Sequence, residues 1–207
     1  MTVGRNSGVV LLLGVAIAAG SATAQNQTPA NSSPLPDTMQ SIQDELNNHG
    51  RASFDTLDRE SGDTTHQSAH TSGAVADATS CILHWVTTTD GTLTTGGDAT
   101  QVQNVWTTTV PLKDIESIRV EGSQDRNRRL QSDITETPNV YSVAVEASKP
   151  VVQLQYRDHH DAARLVGDGA VISAEILFND EEAASHVARS LSLAVRLCGG
   201  GQRGRPR

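Results

Sequence analysis

The hydrophobic pattern of this chain changes period once. Between residues 81 and 178 apolar residues recur at every second position within short segments, the period of a half-buried β-strand. Beyond residue 179 they recur at helical spacing. Segment 81–86 places Cys81, Leu83 and Trp85 on one face. Segment 102–110 is threonine-rich, contains Val105 and Trp106, and is ended by Pro111. Ile118 and Val120 share a face in 115–121, as do Tyr141, Val143, Val145 and Ala147 in 140–147. Val152, Leu154 and Tyr156 do so in 151–157, and Ile172, Ala174, Ile176 and Phe178 in 170–178. Turn signals stand at Asp90-Gly91, Gly96-Gly97, Pro138-Asn139, Lys149-Pro150 and Gly167-Asp168-Gly169. Threonine favours exposed sheet faces, so 87–109 reads as sheet. Trp85 and Trp106 both read as core residues.

The helix that follows is predicted from its cap inward. Asn179 is placed at the N-cap with Glu182 completing a capping box, and Asp180, Glu181 and Glu182 complement the positive helix end. Ala184, Val187, Ala188, Leu191, Val195 and Cys198 form its apolar stripe, and Gly199 suits the left-handed residue that ends it.

Before residue 78 the pattern is thin. Arg5, the apolar run 9–19 and Ala22-Thr23-Ala24 make 1–24 a signal peptide, with no cysteine near the cleavage site to carry a lipid. Segment 25–77 reads as a flexible linker, because its Gln, Asn, Ser, Thr and Gly offer too little burial to offset chain entropy. Within it Met39, Ile42 and Leu46, bounded by Pro36 and Gly50, permit a short helix over 37–48. Residues 200–207 read as a basic disordered tail carrying Arg203, Arg205 and Arg207. The folded domain is set at 78–199. It is expected to be α+β: a bent antiparallel β-barrel or sheet of six to seven strands closed by one C-terminal helix.

Cys81 and Cys198 stand at the two ends of that domain. In the oxidising compartment that a signal peptide implies, their pairing is the default reading. Two buried free thiols or a reactive thiol are the alternatives. His84 is an odd number of residues from Cys81, so on a strand it faces away from it.

The element order, together with 110–120 (VPLKDIESIRV) and the strand-to-helix junction 176–184 (ILFNDEEAA), resembles a pleckstrin-homology-like barrel. The resemblance implies a C-terminal helix plugging an open end of the sheet. Many lipid-binding members use basic residues in their early strand–loop–strand unit. Here 87–101 holds Asp90 and Asp98 and no Lys or Arg, which argues against phosphoinositide-type binding.

Charge and motifs narrow the function further. The formal charge of −8 disfavours nucleic acid and anionic membranes as partners. No nucleophile-elbow, phosphate-loop, zinc-protease or paired-cysteine motif occurs, so no catalytic residue, metal ligand or cofactor is assigned. The candidate partner-binding residues are Arg126, Arg128 and Arg129 in one loop and His159 and His160 in another. The sequence therefore points to a non-catalytic, secreted or periplasmic bacterial protein, without a membrane segment once the signal is cleaved. Its role would be binding or protein interaction with an unknown protein partner. Carriage of a small apolar ligand or lipid between sheet and helix, where Ala184, Ala188 and Ala194 leave room, is the alternative.

Overall fold

Met39, Ile42 and Leu46 are buried together, and the helix that carries them is longer than its stripe suggests. The computed structural model describes residues 34–58, 63–95, 98–130, 134–136, 139–158 and 165–201. The expected signal peptide and most of the basic tail lie outside them.

Helix α1 spans Pro34–His49 and is followed by β1 (Arg51–Asp58), β2 (Thr64–Asp77), β3 (Ile82–Thr95) and β4 (Asp98–Pro111). A single 3-10 turn, Leu112–Asp114, leads to β5 (Ile115–Gly122), α2 (Ser123–Leu130), β6 (Ile134–Glu136) and β7 (Tyr141–Ala147). The chain ends in β8 (Val152–Asp158), β9 (Leu165–Val171), β10 (Ser173–Phe178) and α3 (Glu181–Leu197). The strands form two antiparallel sheets, one ordered β6-β1-β2-β3-β4-β8-β9 and the other β10-β7-β5.

The linker expected over 25–77 is, from residue 34, part of this fold. Each of the three buried α1 side chains contributes roughly 1.5–3 kcal/mol of apolar burial, and none is more than 1% exposed. Polar side chains fix the helix in register on β2. Asn47 accepts from the Ala74 N–H at 2.9 Å and donates to the Ala74 carbonyl at 3.2 Å, while Gln43 accepts from the Ala76 N–H at 3.1 Å. These bonds satisfy the backbone where β2 is bulged between Ser72 and Val75, next to Gly73 in the left-handed region. In β1 the inward positions are Ala52, Phe54 and Thr56, a period-two pattern too small and polar to stand out.

The α+β class and the closing C-terminal helix are present; a closed barrel is not. The chain of β4 continues into β5, that of β7 into β8, and that of β9 into β10, and each of these runs crosses from one sheet to the other. Ile172 sits at one of these crossings and is 53% exposed, although its phase with Ala174 predicted burial. The remaining gap, between β10 and β1, is bridged at Asn179. Its N–H donates to the Arg51 carbonyl at 3.1 Å, and its side chain accepts from the Ser53 N–H at 2.8 Å. The same amide donates to the carbonyls of Ser53 at 3.2 Å and Asn139 at 2.8 Å. Asn179 is thus not the helix cap. Asp180 takes that place, accepting from the N–H groups of Glu182 and Ala183 at 2.8 and 3.3 Å.

Two glycine turn signals are also overridden. Asp90-Gly91 lies inside β3, with Gly91 opposite Val102 and the Asp90 carboxylate accepting from Gln103. Gly167 and Gly169 lie inside β9, opposite Tyr156 and Leu154.

The main core joins α1 and α3 to Leu83, Trp85, Val110, Val143, Val145, Ile176 and Phe178. Ala184 and Ala194 are fully buried there, so these small residues let α3 approach closely. Helix α3 ends in paired bonds from Gly199 N–H to the Arg196 carbonyl and from Gly200 N–H to the Val195 carbonyl, with Gly199 at φ +84°. Cys81 and Cys198 form a disulfide, with Cα atoms 5.8 Å apart and 117 positions apart in sequence. Cys81 itself has φ +56°, a left-handed conformation unusual for a residue with a Cβ.

Candidate functional site

The strands that carry the core run past it. On β3, Leu83 and Trp85 are buried, and the next residues on the same face are Thr87 and Thr89. On β4, buried Val110 is followed outward by Thr108 and Trp106, whose partners in the ladder are Trp85 and Thr87. One sheet face therefore turns from apolar to hydroxyl-bearing along its length. Where it does so it forms the floor of a groove of about 420 Å³, with Leu154 of β8 opposite Thr108.

The opposite wall is β10, through Ser173, Glu175 and Leu177, and α2 forms the rim. Trp106 is 36% exposed, whereas Trp85 is completely buried, so only one of the two expected core tryptophans is core. The Trp106 ring lies 4.4 Å, centroid to centroid, from Tyr156, its cross-strand partner. The Tyr156 hydroxyl donates to Asn104 Oδ1, which fixes the pair from the far side. Such a pair contributes about 0.5–1.5 kcal/mol beyond its burial, so Trp106 is held in place rather than free to fold away.

Segment 123–130 is a helix rather than a loop, and charge rather than burial seats it. Arg126 donates to Glu175 Oε2 at 2.8 Å, and Arg129 bridges Glu175 and Glu121, the latter at 2.7 Å. Glu121 also pairs with Arg119 at 3.3 Å, and Arg119 pairs with Glu146. Three arginines and three glutamates alternate across the outer face of the smaller sheet. Each charge is matched by its neighbour, which leaves little net field for an anionic ligand. Arg126 and Arg129 thus line the groove as a fixed polar rim. Arg128 is exposed and pairs with Asp125 at 3.0 Å. His159 and His160 lie outside the described residues.

A second arrangement has the connectivity of a hydrolytic triad. Ser53 Oγ is 3.4 Å from His66 Nε2, and His66 Nδ1 is 2.7 Å from Asp55 Oδ1. It lacks what gives such a triad power. The His66 and Asp55 side chains are 62% and 54% exposed, so water screens their pairing. The Ser53 N–H, a natural oxyanion donor, already donates to Asn179.

Among the described residues no group of three or more His, Cys, Asp or Glu side chains is arranged to hold a metal ion. Among them, too, no helix is long and apolar enough to cross a membrane. Asp77, away from the groove, titrates below its ordinary range. The Ser80 hydroxyl, then the Thr79 and Ser80 N–H groups, hold its carboxyl there by bonding to the charged form. Comparison with protein-family models, curated proteins and solved structures finds no match.

The groove could have been found in part from sequence. Trp106, Thr108 and Val110 are in phase on β4, and placing threonine between an aromatic and a core valine marks a face leaving the core. The contribution of β10 and α2 depends on tertiary packing and has no local signal.

Proposed function

We propose that this protein is a non-catalytic, extracytoplasmic binding module whose ligand occupies the groove between the long strands and β10. The observation that carries this reading is Trp106: a large aromatic held part-exposed by Tyr156, over a hydroxyl-bearing floor and beside a polar rim. Part-exposed anchored aromatics in a concave site supply most of the contact energy in binding surfaces. The disulfide supports an oxidising compartment. The antiparallel strands followed by a C-terminal helix support a pleckstrin-homology-like reading of roughly residues 81–199. The full burial of Ala184 and Ala194 favours the groove over the helix–sheet interface as the place for a ligand.

The test is amide chemical-shift mapping of the protein against defined sets of peptides, oligosaccharides and fatty acids. Shifts clustered at Thr87, Trp106, Thr108 and Ser173 sustain the reading. Binding that maps elsewhere, or no binding by any class, removes it.

A further inference from the structure

We propose that the outward edge of β10 is a strand-addition site, and that the ligand is an extended polypeptide segment lying in the groove as a fourth strand of the smaller sheet. This rests on the groove being the binding surface and adds the chemistry of its occupant.

The phase of the ladder decides which backbone groups of β10 face outward. The Ala147 N–H donates to the Ile172 carbonyl at 2.8 Å, and this pair is in register with the β7–β10 ladder. Hydrogen-bonded pairs alternate along an antiparallel ladder. Ala174 and Ile176 therefore direct their backbone groups to β7, while Ser173, Glu175 and Leu177 direct theirs away. The far end of the strand agrees. Two residues beyond Leu177, the Asn179 N–H points outward and donates to Arg51 of β1. Between these points, among the described residues, the sheet order pairs no strand to this side of β10, and Ser173, Glu175 and Leu177 all line the groove.

The groove thus presents a row of peptide N–H and C=O groups at strand spacing, closed at one end by Asn179. Such a row is complementary to another extended backbone. A sugar or a fatty chain has no matching repeat. The floor strands β2, β3, β4 and β8 have neighbours on both sides, so among the described strands that line the groove β10 is the one with an edge for a new strand. An added strand turns alternate side chains to opposite sides. One set would meet Trp106 and Leu154, and the other the Arg126–Glu175–Arg129 rim. The structure therefore selects a segment of alternating apolar and polar residues, about five residues long at roughly 3.3 Å per residue.

The experiment starts from displayed heptapeptides that alternate apolar and polar positions, selected on the full chain. The selected peptide is added to isotope-labelled protein, and amide hydrogen exchange is followed. We expect exchange at Ser173, Glu175 and Leu177 to slow by at least about tenfold, together with a change in Trp106 emission. Methylating alternate peptide nitrogens of the ligand should abolish binding. Ser173→Pro, at the first position of its strand, should weaken binding by about tenfold with the melting temperature unchanged. A peptide that perturbs Trp106 without protecting these amides overturns strand addition and leaves the groove as a binding surface. Oligosaccharides or fatty acids that perturb Trp106 where no peptide does overturn it in the same way. If no probe of any class perturbs Trp106, both readings fall.

Discussion

The side chain of Asn179 acts as a peptide group, pairing with both the N–H and the carbonyl of Ser53, 126 residues earlier in the chain. Asn47 does the same to Ala74. In both places a side-chain amide supplies the hydrogen bonds that a missing strand neighbour would make, and so settles backbone groups that packing leaves without a partner.

Asn179→Ala removes three hydrogen bonds at the point where the two sheets meet. The expected loss is about 1–3 kcal/mol, since each bond is worth about 0.5–1.5 kcal/mol net. Asn179→Asp should be no better, because its carboxylate would face the carbonyls of Ser53 and Asn139. Urea unfolding measures this as a lowered midpoint at constant slope. A shift equivalent to less than about 0.5 kcal/mol would mean that the bridge contributes nothing.

Removing the disulfide should be the most damaging covalent change. The chain-entropy model gives about 4–5 kcal/mol for a loop of this size. The left-handed conformation of Cys81 adds a finer expectation. In a Cys198→Ala background, Cys81→Gly should be more stable than Cys81→Ser by about 1 kcal/mol, because glycine enters that region without penalty. Equal stability of the two variants would show that the backbone relaxes once the bond is gone.

Gly200 is needed for space. A Cβ there would lie 2.6 Å from the Leu112 carbonyl oxygen, 2.8 Å from Val195 Cγ1 and 3.0 Å from the Ile115 carbonyl oxygen. Two of these contacts are backbone, which yields little. Gly200→Ala should destabilise by about 1–3 kcal/mol, as overpacking does, and should loosen the Gly201 N–H bond to Ile115 seen at 2.9 Å. Thermal unfolding and exchange at Gly201 report both.

Asp77 sets a pH dependence. Its folded-state carboxyl is held low by the Ser80 hydroxyl and the Thr79 and Ser80 amides, so its contribution is complete above the ordinary carboxylate range. It is lost as pH falls through the lowered folded value. Asp77→Asn should therefore narrow its stability gap to the native protein as the solution is acidified. A gap that stays constant down to about pH 2 would remove this role.

The two tryptophans should respond very differently to truncation. Trp85→Ala opens the centre of the core and should cost about 3–5 kcal/mol or prevent folding. Trp106→Ala loses a ring pair and partial burial, and should cost no more than about 2 kcal/mol. Parallel melting curves separate them; comparable losses would place Trp106 in the core after all.

The core stripes were legible where large residues repeat. Met39, Ile42 and Leu46, Leu83 with Trp85, and Ile176 with Phe178 all lie where their spacing puts them. What escaped was held by weaker or non-local means. β1 and β2 bury Ala52, Thr56, Ala69 and Thr71, which carry little hydrophobic contrast. α2 has no apolar stripe and is seated by ion pairs to β5 and β10, so its arginines looked like a loop cluster. Asn179 has the composition of a cap but lies where two sheet edges meet, and Asp180 beside it serves as well. Trp106 shows that residue type alone does not reveal how far along a strand the core extends.

The pairing of α1 with α3 constrains how the molecule comes to exist. The first helix of the described chain packs on the last, and Cys81 must wait for Cys198. Synthesis or threading from the N-terminus therefore delivers α1 without the surface that covers it. Until α3 arrives, Met39, Ile42 and Leu46 stay uncovered on that side, open to any passing hydrophobic surface. In a chain of this topology α1 is covered on that side only once α3 has been made, and a truncation that removes α3 would leave Met39, Ile42 and Leu46 exposed there.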